Sequence, residues 1–456
     1  MKESIPLSGK QMAFRQRRSS NSIVLLVLLL LIVVSLYLLR SVWREEIKSP
    51  FASTPIPTRT TGSFALEGET HFTAGNLEKA ISAYQQATQY EPNNAQLWYE
   101  LARIQGYSSA ALSTDDLRRV RLQDALKSID MAVKIDPDSS TVHAVRAFIL
   151  DWNAPVELAG DKSQQFLSDA EQSAVHAIQL DPNNALAQAY YAEILLDQQK
   201  WNQADQYITA ALLQDPNLMD VHRIRAIVQE TGGNYAEAIN EYKKAAAIYP
   251  KLTFLYLRIG VNYRQLRQFD EAMRWFEKAV TINKQLGVND PLPYLAIAKT
   301  QSQVGDFFNA ARNVKAALKL NPNNPEVYGS LGLVYFKSRN YETAIFALQC
   351  AVRGCDAKTS CLASGKAESA CTGADVPDVT VQGMPLSGST VVYYYTYGSV
   401  LAGMHRQTQP YCDQAVKVLH EVRQQFASDT TVIAIITPSE EICASPPFGI
   451  TYENTP

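Results

Sequence analysis

The chain has 456 residues, 46% hydrophobic and 19% charged. That is enough apolar material to bury a core over most of its length, which excludes wholesale disorder. The net charge of −3 supplies no bulk basic field and argues against nucleic acid as a partner. Length alone sets a prior of about three domain-sized units.

At the amino end, residues 1–50 hold eight Lys/Arg against three Asp/Glu. Ile23 to Leu39 reads IVLLVLLLLIVVSLYLL, 17 residues without a charge. As a helix this run covers about 25 Å, against about 30 Å for a bilayer core. Arg40 and Trp43 supply interfacial anchors. The run exceeds the usual apolar region of a signal peptide and lacks a small-x-small site after it. The expectation is an uncleaved transmembrane helix over 23–39. The residues before it, 1–22, are expected to form a cytoplasmic tail, because Arg15, Arg17 and Arg18 cluster on that side. Residues 40–60 are read as a stiff, extended Pro/Thr spacer, on the run PFASTPIPTRTT from Pro50 to Thr61.

A repeat follows. One block recurs, with a small residue, a bulky one four later, an Ala three later and often a Pro five after that. Ala80-Tyr84-Ala87-Pro92 is the first copy, Ala204-Ile208-Ala211-Pro216 the fourth and Ala310-Val314-Ala317-Pro322 the seventh. Ala272-Phe276-Ala279 and Ala344-Leu348-Ala351 lack the Pro. The proline spacings are 45, 45, 34, 34 and 72, so 34 is the basic period. Extra residues fall near Ser108–Asp116, Asn153–Asp161 and Gly287–Pro291. Offsets of four and three return to one helix face, and the Pro ends each helix. The Asn-Asn of NPNN and DPNN suits the cap of the next helix.

In eight copies over about residues 61–356, this pattern resembles the tetratricopeptide repeat, and with the anchor it resembles membrane-anchored bacterial-type members of that family. A ninth, degenerate copy is read in Tyr394-Tyr397-Gly398-Leu401 with Ala415-Leu419-Val422. The resemblance implies an all-α fold, a right-handed superhelix of about 8–9 helix pairs after one transmembrane helix. It implies ligands along the first helices of successive pairs. Mapped here, those positions are Tyr99, Arg103 and Tyr107, then Phe148 and Trp152, then Glu193 and Asp197, then Arg223 and Glu230, with Arg264 and Lys299 further on. The competing reading packs Trp152 and Tyr99 against the nearby insertions. The family's clamp for a terminal carboxylate is not matched, because Ala65 and Glu69 stand at first-repeat positions.

The cysteines are Cys350, Cys355, Cys361, Cys371, Cys412 and Cys443. An even number confined to one irregular region suits disulfides in an oxidising compartment. The expectation pairs the first four among themselves and Cys412 with Cys443. Zinc is the rival, and no CxxC motif supports it. Residues 357–392 read as an irregular, Cys-containing insertion. Residues 393–456 read as the degenerate last repeat and a C-terminal tail.

No HExxH, GxSxG or Gly-rich phosphate loop is present, so no enzyme, metal or cofactor is expected. The expected function is a membrane-tethered, extracytoplasmic scaffold. It would bind a protein or peptide, with its amino terminus in the cytoplasm and a membrane-associated partner. The alternative is an accessory subunit of an envelope polymer-assembly or secretion system that binds a glycan or an integral-membrane enzyme.

Overall fold

The computed structural model describes residues 21–43, 61–372, 379–445 and 448–451. The expected tail before residue 21, residues 44–60 of the spacer, 373–378 of the insertion and the extreme carboxyl end lie outside these. The chain divides into two units, residues 1–59 and 60–456.

The first unit contributes one helix, α1 (Ser22–Trp43), whose side chains are exposed from Ile23 to Leu38. Among the described residues no helix is long and apolar enough to cross a membrane. The apolar run with described side chains stops at Leu38. That is about 25 Å of rise against a hydrocarbon core of about 30 Å. The helical backbone continues through Arg40 to Trp43.

The second unit is a stack of antiparallel helix pairs. The first four are α2 (Thr61–Thr73) with α3 (Leu77–Tyr90), α4 (Ala95–Ser109) with α5 (Asp115–Ile135), α6 (Ser140–Asn153) with α8, and α9 with α10. Between α6 and α8 lies the single turn α7 (Val156–Ala159). The partners named last are α8 (Ser163–Leu180), α9 (Ala185–Asp197) and α10 (Trp201–Gln214). Next come α11 (Met219–Thr231) with α12 (Tyr235–Ile248) and α13 (Thr253–Gln265) with α14 (Phe269–Leu286). They are followed by α15 (Leu292–Gln303) with α16 (Phe307–Leu320) and α17 (Pro325–Lys337) with α18 (Tyr341–Val352). A short α19 (Ala357–Ala363) precedes the ninth pair, α20 (Val391–Met404) with α21 (Cys412–Gln425). A last helix, α22 (Thr430–Ala444), packs on both members of that pair.

The repeat chemistry works as its spacing requires. Ala80, Ala125, Ala170, Ala204, Ala238, Ala272, Ala310 and Ala344 have no exposed surface, so each lets two helices cross closely. A Cβ on Gly260 would stand 2.4 Å from the Phe276 ring, so that crossing excludes any side chain. Helices end one or two residues before Pro92, Pro137, Pro182, Pro216, Pro250 and Pro322. After three of these prolines an Asn caps the next helix. Asn94 accepts from the Gln96 N–H, Asn184 from Leu186 and Ala187, and Asn324 from Glu326.

Within this unit the array folds back on itself. Phe72 packs on Tyr249 with centroids 4.9 Å apart. Gly75, at φ +78°, comes so near Lys251 that a Cβ would lie 2.4 Å from its carbonyl oxygen. Further along, Asn324 donates to the Ser113 hydroxyl, and Ser389 donates to Asp115 at 3.0 Å. The α4–α5 connection is thereby tied to the start of α17 and the residues before α20.

Three disulfides close the carboxyl part: Cys350–Cys355, Cys361–Cys371 and Cys412–Cys443. They follow the expected grouping, and no described cysteine is free. The third staples α22 to α21. The described residues of 357–392 are more structured than their composition suggested. They hold α19, buried Cys361, Ala363 and Cys371, and a backbone bridge between Cys355 and Val381.

Candidate functional site

First helices contact one another in two runs, α4 through α11 and α13 through α20, and the face they share divides into a closed half and an open half. In the closed half, side chains from α4, α6, α9 and α11 meet. Tyr107 donates to Asp220 at 2.6 Å and lies 3.2 Å from the Tyr190 hydroxyl. Arg223 grips Glu193 through two 2.7 Å hydrogen bonds and reaches Asp220 at 3.2 Å. Trp152 donates to the same Glu193 at 3.2 Å. Phe148 stacks on Tyr190 at 4.7 Å and meets Trp152 edge-on. Burial, and next the Asp220 carboxylate, drive the Tyr107 hydroxyl well above its usual pKa, so it remains a donor.

Four of the expected groove residues lie inside this network. Tyr107 and Phe148 are 0% and 1% exposed, and Glu193 and Arg223 are also buried, so the four present no continuous outward surface for an extended segment. The physical reason is tight stacking, which brings the faces of the second, fourth and fifth pairs together. Their aromatic and charged groups satisfy one another. Tyr99, Arg103 and Trp152 keep partial exposure. Arg103 is already paired with Glu100 at 2.7 Å. Asp220, which joins Tyr107 to Arg223, was not among the expected residues. Its partner lies 113 positions away, and no local pattern announces such a contact.

Beside this network lies a cavity of about 530 Å³. Trp152, Leu158, Leu196, Ile227, Phe254 and Leu257 supply apolar walls. Asp151, Glu193, Asp197, Arg118, Arg223 and Arg258 supply its charges.

The open half holds a second cavity of about 570 Å³, lined by Arg264, Lys299 and Lys337 from α13, α15 and α17. Among the described residues, no carboxylate forms an ion pair with any of the three. Arg264 Nη1 and the Ser302 hydroxyl are buried without hydrogen-bond partners. The Lys299 ammonium is held below its usual pKa by loss of solvation and by the nearby charges of Arg264 and Lys337. Glu326 lines the same cavity, and burial pushes its carboxyl up to about 7. Clustered cations with unmet donors are arranged to receive an anionic group. Arg264 and Lys299 stood among the mapped first-helix positions; Lys337 did not, although it occupies the equivalent stretch of the eighth pair. Among the described residues no group of three or more His, Cys, Asp or Glu side chains is placed to hold a metal ion.

Four segments match models of the tetratricopeptide repeat: 68–106, 192–253, 255–286 and 314–346. The BBSome complex member BBS4 of Bos taurus is 30% identical over 112 residues, which is 25% of this chain and 21% of that protein. The chain thus spans about a fifth of the length of the curated relatives it matches. Among solved structures, a tetratricopeptide repeat protein from Parabacteroides merdae is similar at 18% identity. The match covers 60% of this chain and 98% of that one, with a TM-score of 0.36. The APC/C hetero-tetramer Cut9–Hcn1 is similar at 15% identity, covering 89% and 75%, with a TM-score of 0.42. Tetratricopeptide repeats generally mediate protein–protein interaction, and their scaffold is typically not catalytic.

Proposed function

We propose that this chain is a membrane-tethered, extracytoplasmic scaffold that binds a protein partner through the open half of its first-helix face. The observation that carries the binding site is the convergence of Arg264, Lys299 and Lys337 on one cavity in which no described carboxylate forms an ion pair with any of the three. Charge of one sign left unpaired on a protein is costly unless something neutralises it, and an acidic side chain of a bound segment does so. The uncharged run Ile23 to Leu38 within α1, about 25 Å of helix, is the feature that supports tethering. Three disulfides support an oxidising compartment for the repeats. A tether also raises the effective concentration toward membrane-associated partners.

The binding claim is tested by crosslinking pull-down from membranes, using wild type and an Arg264→Ala/Lys299→Ala/Lys337→Ala variant of verified stability. The wild type should capture a specific partner in a salt-sensitive way, and the variant should lose it. Retention by the variant would move the site elsewhere. Placement is tested by protease added to intact spheroplasts, which should digest the repeats while sparing a cytoplasmic control. Full protection would contradict it.

A further inference from the structure

Asp151 lies on the floor of the first cavity, 2% exposed, at the end of α6. Its Oδ1 is buried and receives no hydrogen bond from any donor. The carboxyl of Asp197, on the exposed last residue of α9 at the cavity mouth, stands within hydrogen-bonding reach of it. Two carboxylates at that separation hold a proton between them or require a cation.

The lining supplies no spare cation. Arg118 is paired with Asp115 at 3.4 Å and donates to the Leu112 carbonyl. Arg223 is held by Glu193 at 2.7 Å, and Arg258 pairs with Glu230 at 3.6 Å. A divalent metal ion does not suit the site, because no third ligand of the right kind stands with the two carboxylates. Trp152, Leu196 and Phe254 are among the apolar residues that line it. Such a lining fits a methylene stem that ends in an ammonium group.

We propose that this cavity receives a lysine side chain of the bound partner, with its stem against Trp152, Leu196 and Phe254 and its ammonium between Asp151 and Asp197. The inference rests on the preceding one only in taking the occupant to be part of a protein; the cavity and its acid pair stand independently. Binding replaces the shared proton with the ligand's charge, so the proton leaves to solvent. Burial, and next Asp197 and Glu193, hold the Asp151 carboxyl well above the carboxylate range. Loss of solvation, and next Glu193, push Asp197 up to about 6 although the residue reaches the surface. The other charged or titratable groups facing the cavity are Arg118 from α5, Arg223 from α11, Tyr242 from α12 and Arg258 from α13. The α4 helix presents only Ser109, and α8 lines none of the cavity.

The test is titration calorimetry on the full chain in detergent. The probe is Nα-acetyl-lysine methylamide, the control its norleucine analogue, and the buffers differ in ionisation enthalpy. The lysine amide should bind about tenfold or more tightly than the norleucine analogue. It should release a proton near pH 6, and bind more weakly at pH 5 than at pH 8. Asp151→Asn should weaken it about tenfold or more, with the norleucine affinity unchanged. Should that variant not fold, Asp197→Asn at the mouth should abolish proton release. Equal binding of both probes, no binding of the lysine amide, or unchanged lysine binding and proton release in the folded variants overturns the assignment. Loss of partner capture in the Arg264/Lys299/Lys337 variant with lysine-amide binding intact bears on the function above and leaves this site standing. The reverse pattern overturns this site alone.

Discussion

Arg223 exposes 3% of its surface and gives its guanidinium to Glu193 and Asp220, so neither charge can be removed without stranding the other in a poorly solvated interior. Removing one partner of such a pair costs about 3–5 kcal/mol. Glu193→Ala and Arg223→Ala are each expected to lose about that much stability in urea unfolding. The Glu193→Leu/Arg223→Met double variant should lose much less than the sum of the two. Additive losses would mean that the pair is not coupled as described. The buried acids make a second expectation at this scale. Burial raises Asp151; loss of solvation brings Asp197 to about 6, burial brings Asp290 to about 6 and Glu326 to about 7. These folded-state values lie above the unfolded ones near 4, so the folded chain binds more protons between about pH 4 and 7. Stability contributed by these groups therefore falls as pH rises through that window. Glu171 and Glu241 act the other way, because hydrogen bonds outweigh their loss of solvation and lower them, but their contribution is lost only in more acidic solution; burial lowers His143, which opposes the four acids within the window as a single, half-exposed group. The melting temperature in detergent should be higher near pH 5.5 than near pH 7.5, and Asp290→Asn should flatten the difference. A rise in melting temperature between those two pH values would contradict the assigned shifts.

The turns inside helix pairs show what local sequence does and does not disclose. Gly75, Gly233 and Gly305 hold left-handed φ values of 78°, 78° and 84° at the α2–α3, α11–α12 and α15–α16 turns. Gln199, Arg267 and Arg339 hold 61°, 58° and 62° at the matching α9–α10, α13–α14 and α17–α18 turns. A side chain there costs about 1–2 kcal/mol, partly offset by the greater unfolded-chain entropy of glycine. Arg267→Gly and Arg339→Gly should each stabilise the array by about 0.5–1 kcal/mol in chemical denaturation. A loss of stability would show that those side chains contribute more than their strain costs. Turn positions, crossing alanines, Asn caps and helix-ending prolines were all legible, because each acts within one period. The α22 helix was not, because Pro438 stands inside it and interrupts the apparent pattern. The signal that was available is Asp429, whose side chain accepts from the Thr431 and Val432 N–H groups and caps the helix start.

Across the repeat unit, the first-helix face is decided by how tightly pairs stack, and no single repeat encodes that. Tyr107 reads alone as an anchor for a ligand, yet it is consumed by Asp220 and Tyr190 from later repeats. Arg264 and Lys299 read singly as groove positions of separate repeats, yet with Lys337 they gather round one cavity. The mutually satisfied groups of the closed half thus give the array internal rigidity, and the unpaired cations gather in the open half. The most direct measurement places a photo-crosslinking amino acid at Leu333, which lines the cationic cavity. A second goes at Phe308, which is 80% exposed and lines neither cavity. Irradiated in native membranes, the Leu333 variant should yield a discrete protein adduct that Lys299→Glu abolishes, and the Phe308 variant should not. A partner captured from Phe308 alone, or an adduct at Leu333 that survives Lys299→Glu, would contradict the account.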